Sequence, residues 1–204
     1  MSKTVECFYS LSSPWAYLGG PRLEEILARR GAQLVLRPFD FLAVAPKTGG
    51  IPLRTRPQAR QDYHAVELDR WRRFLGLKLN LKPRFYPPAD NKPAGHMVIA
   101  AQARGLPAQK LSHALLRALW AEERDIADPQ VRKAVAEEQG LPGGELLAAE
   151  SAAETQDEFA ANTRAAIARG VFGAPSYVYD DIKYWGQDRL DFLDRALGAV
   201  DTRA

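Results

Sequence analysis

Three consecutive residues near the start of the chain, Ser13, Pro14 and Trp15, could place a hydroxyl group where it can do chemistry. Residues 5–9, just before them, are rich in β-forming types, which predicts a short buried strand. After them, the apolar residues of positions 18–27 recur at helical spacing. Serine is favoured immediately before a helix, and proline is favoured at its first position. The pattern therefore predicts that Ser13 lies where a strand ends and a helix begins.

The start of a helix gives a hydroxyl group at Ser13 a distinctive electrostatic setting. The first backbone N–H groups of a helix have no partner within it, and the helix dipole adds about half a positive charge there. An anion is favoured at such a place, and a thiolate that accepts a hydrogen bond from the hydroxyl would have a lowered pKa. The alternative is that Ser13 does no more than cap its helix, which is the commoner role of such a serine.

Other kinds of active site have less support in the sequence. The three histidines, His64, His96 and His113, lie in a region of helical pattern, and Ser13 lacks the Gly-x-Ser-x-Gly context of a nucleophile elbow. A Ser-His-Asp triad assembled in space remains an alternative. No cluster of histidine and cysteine has metal-ligand spacing, and no glycine-rich phosphate loop follows a strand, so we expect no metal site.

Composition limits the classes of partner. The chain has 204 residues, 46% of them hydrophobic, and a net charge of +3, which is ordinary for a globular protein with one sizeable core. Basic residues alternate with acidic ones, so we expect no nucleic-acid partner. The sequence has neither a membrane-spanning apolar run nor a basic-then-apolar leader, so we expect no membrane association and a cytoplasmic location. The single cysteine, Cys7, excludes an intrachain disulfide and is expected to be a buried, inert thiol.

The elements that must position Ser13 follow the order β-α-β, a mostly helical stretch, then β-β-α. A second strand is predicted over residues 32–38, and the closing hairpin around Tyr177 and Tyr184. Residues 39–56 are predicted as a loop with a short helical turn around Leu42, and residues 79–93 as a proline-rich loop. The remaining predicted helices cover residues 57–75, 95–104, 107–123, 129–139 and 154–169, with a short turn near residue 146.

The helix predicted over residues 57–75 contains six apolar side chains that we expect to form one broad buried face. They are Tyr63, Val66, Leu68, Trp71, Phe74 and Leu75. The two ends of the chain, residues 1–40 and 169–204, are too short to fold separately and are expected to form one discontinuous domain around a single sheet. Residues 41–168 would then be an inserted helical domain that covers the cleft where Ser13 lies.

Four pieces of sequence, in this order, identify a resemblance that covers nearly the whole chain. They are Ser13-Pro14-Trp15, the segment from Arg60 to Trp71, residues 124–129 (RDIADP) and residues 170–175 (GVFGAP). The chain resembles the 2-hydroxychromene-2-carboxylate isomerases of the DsbA-like superfamily, which are relatives of the kappa-class glutathione transferases. The resemblance implies an α/β thioredoxin fold of the DsbA-like type with a large all-helical insertion.

The resemblance also implies glutathione as the cofactor and Ser13 as the catalytic residue that holds its thiol. The implied glutathione-binding residues are Ser13, Arg60, Ala174, Pro175, Gln187 and Asp188. Ala174 would pair with the tripeptide backbone in front of a cis Pro175, and Asp188 would suit the ammonium group of the γ-glutamyl end. The alternatives are a trans turn proline, an ordinary N-cap at Asp188 and a solvated Arg60. In one departure from the family pattern, the apolar Ile51 replaces an asparagine that contacts the tripeptide in relatives.

The implied reaction is the glutathione-dependent isomerisation of 2-hydroxychromene-2-carboxylate in aromatic degradation, by reversible addition of the thiolate. The residues expected to contact this small aromatic substrate are Trp15, Tyr17, Tyr86, Asn91 and His96. Core packing is the alternative for each aromatic side chain. A homodimer is expected, because relatives are commonly dimers. A kappa-like glutathione transferase and a non-enzymatic thioredoxin-like binding module are the alternative functions.

Overall fold

The two ends of the chain come together in one four-stranded sheet. The computed structural model describes residues 3–199, and its strands are β1 (Thr4–Tyr9), β2 (Gln33–Pro38), β3 (Ser176–Tyr179) and β4 (Ile182–Trp185). The strand order is β2-β1-β3-β4. β1 is parallel to β2 and antiparallel to β3, and β3 and β4 form a hairpin. The predicted union of an N-terminal β-α-β unit with a C-terminal hairpin is confirmed.

The helices of residues 3–199 are close to their predicted bounds. They are α1 (Pro14–Arg30), α2 (Phe41–Thr48), α3 (Gln58–Phe74), α4 (Lys92–Ala103), α5 (Ala108–Ala121), α6 (Pro129–Glu138), α7 (Gly143–Ala149), α8 (Ala153–Ala168) and α9 (Leu190–Gly198). Short 3-10 turns cover Leu53–Thr55 and Gln187–Arg189. The short helical turn predicted around Leu42 is present as α2, which at eight residues is longer than predicted. Asp40 caps α2 by accepting hydrogen bonds from the N–H groups of Leu42 and Ala43.

Hydrophobic side chains cover both faces of the sheet. Successive residues of a strand point to opposite faces, so Cys7 and Tyr9 enter the main core while Phe8 enters a second one. The main core joins β1 and α1 to α4, α5 and α9, and the second core packs β1 and β3 against α2 and α8. Cys7 is a free, buried cysteine, as predicted, and burial raises the pKa of its thiol.

The prediction that the apolar residues of α3 form a single buried face is wrong. Tyr63, Val66 and Phe74 are exposed, with 76% of Phe74 accessible, and Leu68 is the only buried residue of the helix. Leu68 and the partly buried Trp71 pack against the core from a different side of the helix. The six apolar residues therefore form two separate stripes, because their spacings place them on different sides of a 3.6-residue period.

The segment at residues 124–129, one of the four pieces of the resemblance, builds structure around a buried arginine. Asp128 caps α6, and Arg132 forms two 2.7 Å hydrogen bonds to the carboxylate of Glu150. The same guanidinium donates to the carbonyl oxygens of Ile126 and Ala127.

Within residues 3–199, no helix is long and apolar enough to cross a membrane, and no three potential metal ligands cluster together.

Candidate active site

Ser13 is the N-cap of α1, where the sequence predicted it. Its backbone is extended, with φ −82° and ψ 118°, and its Oγ accepts a hydrogen bond from the Ala16 N–H at 3.2 Å. The hydroxyl also donates to the carbonyl oxygen of Ala174 at 3.1 Å. Ser13 therefore caps its helix and at the same time touches the segment that precedes β3.

Ala174 is followed by a cis peptide bond to Pro175, and this prediction is confirmed. The segment is held closely on its other side. Gly186 donates its N–H to the Pro175 carbonyl at 2.9 Å. A Cβ atom on Gly173 would lie only 2.1 Å from the indole Nε1 of Trp185. Residues 173–175 are thus held between the start of α1 and the end of β4.

Ser12, the neighbouring hydroxyl, belongs to a different hydrogen-bond network. The Asn91 side chain donates to Ser10 Oγ at 2.9 Å and to Ser12 Oγ at 2.8 Å, and the two serine oxygens are 3.0 Å apart. Asn91 is therefore brought to the turn that precedes Ser13, as a residue that fixes this turn. Ser13, and not Ser12, is the hydroxyl bonded to Ala174.

Trp15 and Tyr17 have different environments, although both follow Ser13 closely. The Trp15 Nε1 group donates to Nε2 of His64 at 3.1 Å, and its ring is only partly buried. The Tyr17 side chain points into the core, where its hydroxyl donates to the Lys78 carbonyl at 2.8 Å. Its ring stacks on His113 at a centroid distance of 5.3 Å. The structure gives Tyr17 a packing role and leaves Trp15 partly exposed in the first turn after Ser13.

Tyr86 and His96, the other ring residues proposed for the substrate, lie in different surroundings. Tyr86 packs on Trp120 at 4.6 Å, and burial raises the pKa of its phenol, an effect that the charges of two arginines oppose. His96 contacts Phe159 edge-on at 4.8 Å and lines a separate pocket with Arg132. Within residues 3–199, the Ser13 hydroxyl is hydrogen-bonded to Ala174 and Ala16 and not to His96.

Three arginines, Arg54, Arg56 and Arg60, supply positive charge in the region of His64 and Tyr86. Burial and then the charge of Arg60 lower the pKa of Arg56, and Arg56 in turn helps to lower the pKa of His64. Within residues 3–199 none of the three forms an ion pair with a carboxylate. Arg56 donates from Nε to the carbonyl oxygen of Ile51 at 2.9 Å. The cluster can therefore accept an acidic ligand.

The segment before α3, which carries Arg54 and Arg56, also approaches the cis-proline segment. A Cβ on Gly50 would lie 2.6 Å from the Phe172 carbonyl oxygen, so only glycine allows this contact. Sequence reasoning missed Arg54, Arg56 and His64 as site residues. The sequence did contain a signal for them, because no acidic residue lies between positions 53 and 61 to neutralise the positive charge of the arginines there.

The two residues predicted for the γ-glutamyl end differ in accessibility. The Gln187 side chain is 1% exposed, packs against Gly19 and has no hydrogen-bond partner for either amide atom among the described residues. Asp188 does not cap the 3-10 turn, whose N-cap is Gly186. Its carboxylate is 45% exposed and lies 2.8 Å from the Arg189 guanidinium. Asp188 can thus face a ligand, whereas Gln187 is buried.

The chain is similar to known proteins over nearly its whole length. The chain is 28% identical to a 2-hydroxychromene-2-carboxylate isomerase of Sphingobium xenophagum, over 97% of this chain and 99% of that protein. It is 27% identical to glutathione S-transferase kappa 1 of Homo sapiens, over 97% of this chain and 92% of that protein.

A solved structure of a 2-hydroxychromene-2-carboxylate isomerase superposes with a TM-score of 0.76 at 27% identity. The superposition covers 96% of this chain and 94% of the other. The family model of the DSBA-like thioredoxin domain matches residues 4–198. Since this match spans nearly all of the chain, the protein belongs to the DSBA-like thioredoxin family.

Proposed function

We propose that this protein is a glutathione-dependent isomerase of the 2-hydroxychromene-2-carboxylate type, acting on an intermediate of aromatic degradation. The observation that carries the proposal is the 3.1 Å hydrogen bond between the Ser13 hydroxyl and the Ala174 carbonyl, at the start of a helix and next to a cis proline. The isomerase relatives at about 28% identity support the reaction class. The human kappa-class relative supports the use of glutathione.

The residues present fit glutathione at four points. Ser13 offers a hydroxyl donor for a thiolate, and the Ala174 backbone offers a partner for an extended peptide. Arg60, with Arg56 beside it, offers positive charge for a carboxylate, and the half-exposed Asp188 offers a carboxylate for an ammonium group. When bound, glutathione supplies a thiolate that adds reversibly to an electrophilic carbon of the substrate and then leaves.

The Ser13 hydroxyl has one proton, and this limits what it can donate to. In the structure the proton points to the Ala174 carbonyl, a neutral acceptor. A thiolate is a stronger, charged acceptor, so we propose that the hydroxyl turns toward it when the thiol is bound. That rotation frees the Ala174 carbonyl to accept a peptide N–H. The lone pair that Ser13 gives to the Ala16 N–H is unaffected, so the helix remains capped.

Trp15 and Tyr86 are the side chains that we propose as walls of the aromatic-substrate pocket. Trp15 lies in the first turn after Ser13, and Tyr86 shares the electrostatic surroundings of Arg54 and Arg56. Asn91 would act by fixing the turn before Ser13. His96 and Tyr17 would act at most through packing, given their contacts with Phe159 and His113.

We further propose a cytoplasmic homodimer. The exposed stripe of α3, formed by Tyr63, Val66 and Phe74, is an apolar surface of the kind that a second copy of the chain would cover. Analytical ultracentrifugation tests this assembly. Sedimentation as a dimer that becomes a monomer when Val66 and Phe74 are replaced by serine is the expected result.

The direct test of the function is turnover of 2-hydroxychromene-2-carboxylate by the purified chain with and without glutathione. Isomerisation that requires glutathione and leaves its concentration unchanged is the expected result. Incubation with 1-chloro-2,4-dinitrobenzene separates the kappa-like alternative, which would release a stable conjugate at a higher specificity constant than it isomerises. Absence of both activities, with glutathione bound or not, would favour a binding module.

A further inference from the structure

A hydrogen bond between two side chains joins the first turn of α1, which follows Ser13, to α3. Trp15 Nε1 donates to His64 Nε2 at 3.1 Å, and the two rings meet edge-on, with centroids 5.4 Å apart and planes at 88°. The residues lie 49 positions apart, in the first turn of α1 and near the start of α3. The bond therefore fixes the direction of an indole ring two residues after Ser13.

The bond requires one form of the imidazole. An indole N–H can only donate, so His64 Nε2 must be unprotonated and the ring hydrogen must lie on Nδ1. Burial and the nearby charge of Arg56 both lower the pKa of His64, to about 4. The neutral ring is thus present throughout the neutral range, and the acceptor remains available to Trp15.

α3 has few other anchors that could fix its position relative to Trp15. Leu68 is its only buried residue, and an exposed stripe occupies another side of the helix. Trp15 itself is partly buried, and a ring with exposed edges can adopt other rotamers unless a polar contact selects one. Removal of the His64 acceptor would therefore free the indole while leaving Ser13 and Ala174 in place.

We propose that His64 is a positioning residue that holds the Trp15 ring as a fixed wall of the pocket for the aromatic electrophile. This role rests on the proposed function, because it assigns to Trp15 the substrate that reacts beside Ser13. His64 does not touch the thiol or transfer a proton. Its contribution is to binding of the electrophile, and the thiol site is independent of it.

The test compares two substitutions of His64 in the full chain. Glutamine places an amide oxygen close to the position of the imidazole Nε2 and keeps an acceptor, whereas leucine removes it. In His64→Leu the KM for 2-hydroxychromene-2-carboxylate should rise about three- to tenfold, as expected for the loss of one neutral hydrogen bond. The dissociation constant of glutathione and the pKa of its bound thiol should not change. His64→Gln should restore the KM to within about twofold of the parent.

A double-mutant cycle with Trp15→Phe assigns the effect to the pair. In the phenylalanine background, which has no indole N–H, His64→Leu should add nothing to the KM. A KM in His64→Leu equal to that of the parent would overturn the proposal, as would equal changes in the leucine and glutamine variants or a shifted thiol pKa.

The indole N–H signal of Trp15, assigned in a nitrogen–proton NMR spectrum by its absence from Trp15→Phe, reports on the bond without any ligand. It should move upfield and exchange faster with water in His64→Leu but not in His64→Gln. An unchanged signal overturns the positioning role even if the parent has no activity. A parent that does not turn over the substrate overturns the proposed function instead, so the two failures are distinguishable.

Discussion

The Ser13 hydroxyl donates to the Ala174 carbonyl at 3.1 Å, although 161 positions separate the two residues in the chain. The sheet explains this proximity. β1 and β3 are antiparallel neighbours, and the pair Phe8–Ser176 places the carboxyl end of β1 beside the start of β3. The turn into α1 and the cis-proline segment follow directly from those two strand ends. The pairing of β1 with β3 therefore brings Ser13 and Ala174 together at the candidate thiol site.

Gly173→Ala should damage this assembly. The added Cβ would lie 2.1 Å from Trp185 Nε1, so either the indole or the cis-proline segment must move. Overpacking of this kind costs about 1–3 kcal/mol. We expect a lower urea midpoint and weaker glutathione binding, measured by calorimetry.

Gly144→Ala is the matched control for that substitution. A Cβ at Gly144, in α7, has open space around it, and alanine is a better helix former by up to about 1 kcal/mol. This variant should be as stable as the parent or more so, with unchanged glutathione affinity. Equal stability of the two variants would contradict the close approach of Gly173 and Trp185.

Arg60→Ala should weaken glutathione binding by about tenfold, the change expected for loss of one charge-assisted contact of about 1.4 kcal/mol. Arg60 has no carboxylate partner among residues 3–199 and lies in the charge cluster with Arg56. Arg70→Ala on the same helix is the control, because Arg70 pairs with Glu67 and is largely exposed. Calorimetry with glutathione should show an effect for Arg60 alone. The same loss in both variants would indicate a general charge effect.

Folding stability should decrease as the pH falls below 7, and His64 should account for part of the loss. Burial, the largest cause in each case, lowers the pKa of His64, His96 and His113 from 6.5 in the folded state, to about 4 for His64. At a pH between the folded and unfolded pKa values of these histidines, the unfolded chain binds more protons than the folded chain. Their contribution to the free energy of unfolding is therefore complete above the unfolded pKa of 6.5 and is lost as the pH falls toward the folded value.

Urea unfolding of the parent and of His64→Gln between pH 4.5 and 7.5 tests this assignment. The difference in the free energy of unfolding between the two proteins should shrink toward acid, because only the parent has to keep this imidazole neutral. Parallel curves across the range would show that His64 does not titrate differently in the folded and unfolded states.

The part of the site that depends on local sequence could be predicted. A strand followed by Ser13-Pro14 at a helix start is a short-range pattern, and the cis Pro175 beside Ala174 came from the resemblance of residues 170–175. The order of the elements and the approximate bounds of most helices were predicted from the spacing of apolar residues and from the glycines at or near helix ends. The helical turn around Leu42 was predicted, but its extension to the eight residues of α2 was not, because Pro46 lies within the helix and proline inside a helix is rare.

The part that depends on packing between distant elements could not be predicted. His64 reaches Trp15 only because of the way α3 lies against α1, which neither helix encodes alone. The same limit applies to Gln187, whose position at the start of a turn did not reveal that its side chain faces inward against Gly19. The two apolar stripes of α3 were interpreted as one face, although their spacing separates them. Which of the two stripes the core covers depends on packing and was not available from the sequence.

Ser13→Ala tests the central claim, that the Ser13 hydroxyl stabilises a bound thiolate. A charge-assisted hydrogen bond contributes about 1.5–3 kcal/mol, so its loss should raise the pKa of the bound thiol by roughly one to two units. Activity at neutral pH should fall by about ten- to a hundredfold and return in part at higher pH. The lost helix cap should lower the free energy of unfolding by only about 1 kcal/mol. Ser12→Ala is the control, since Ser12 Oγ bonds to Asn91 and Ser10 instead.

The most direct measurement is a pH titration of the ultraviolet absorption of the thiolate in glutathione bound to the parent, Ser12→Ala and Ser13→Ala proteins. A thiol pKa that is depressed in the parent and in Ser12→Ala, and that rises by one to two units only in Ser13→Ala, is the predicted result. The same thiol pKa in all three proteins would contradict the account and leave Ser13 as a helix cap alone.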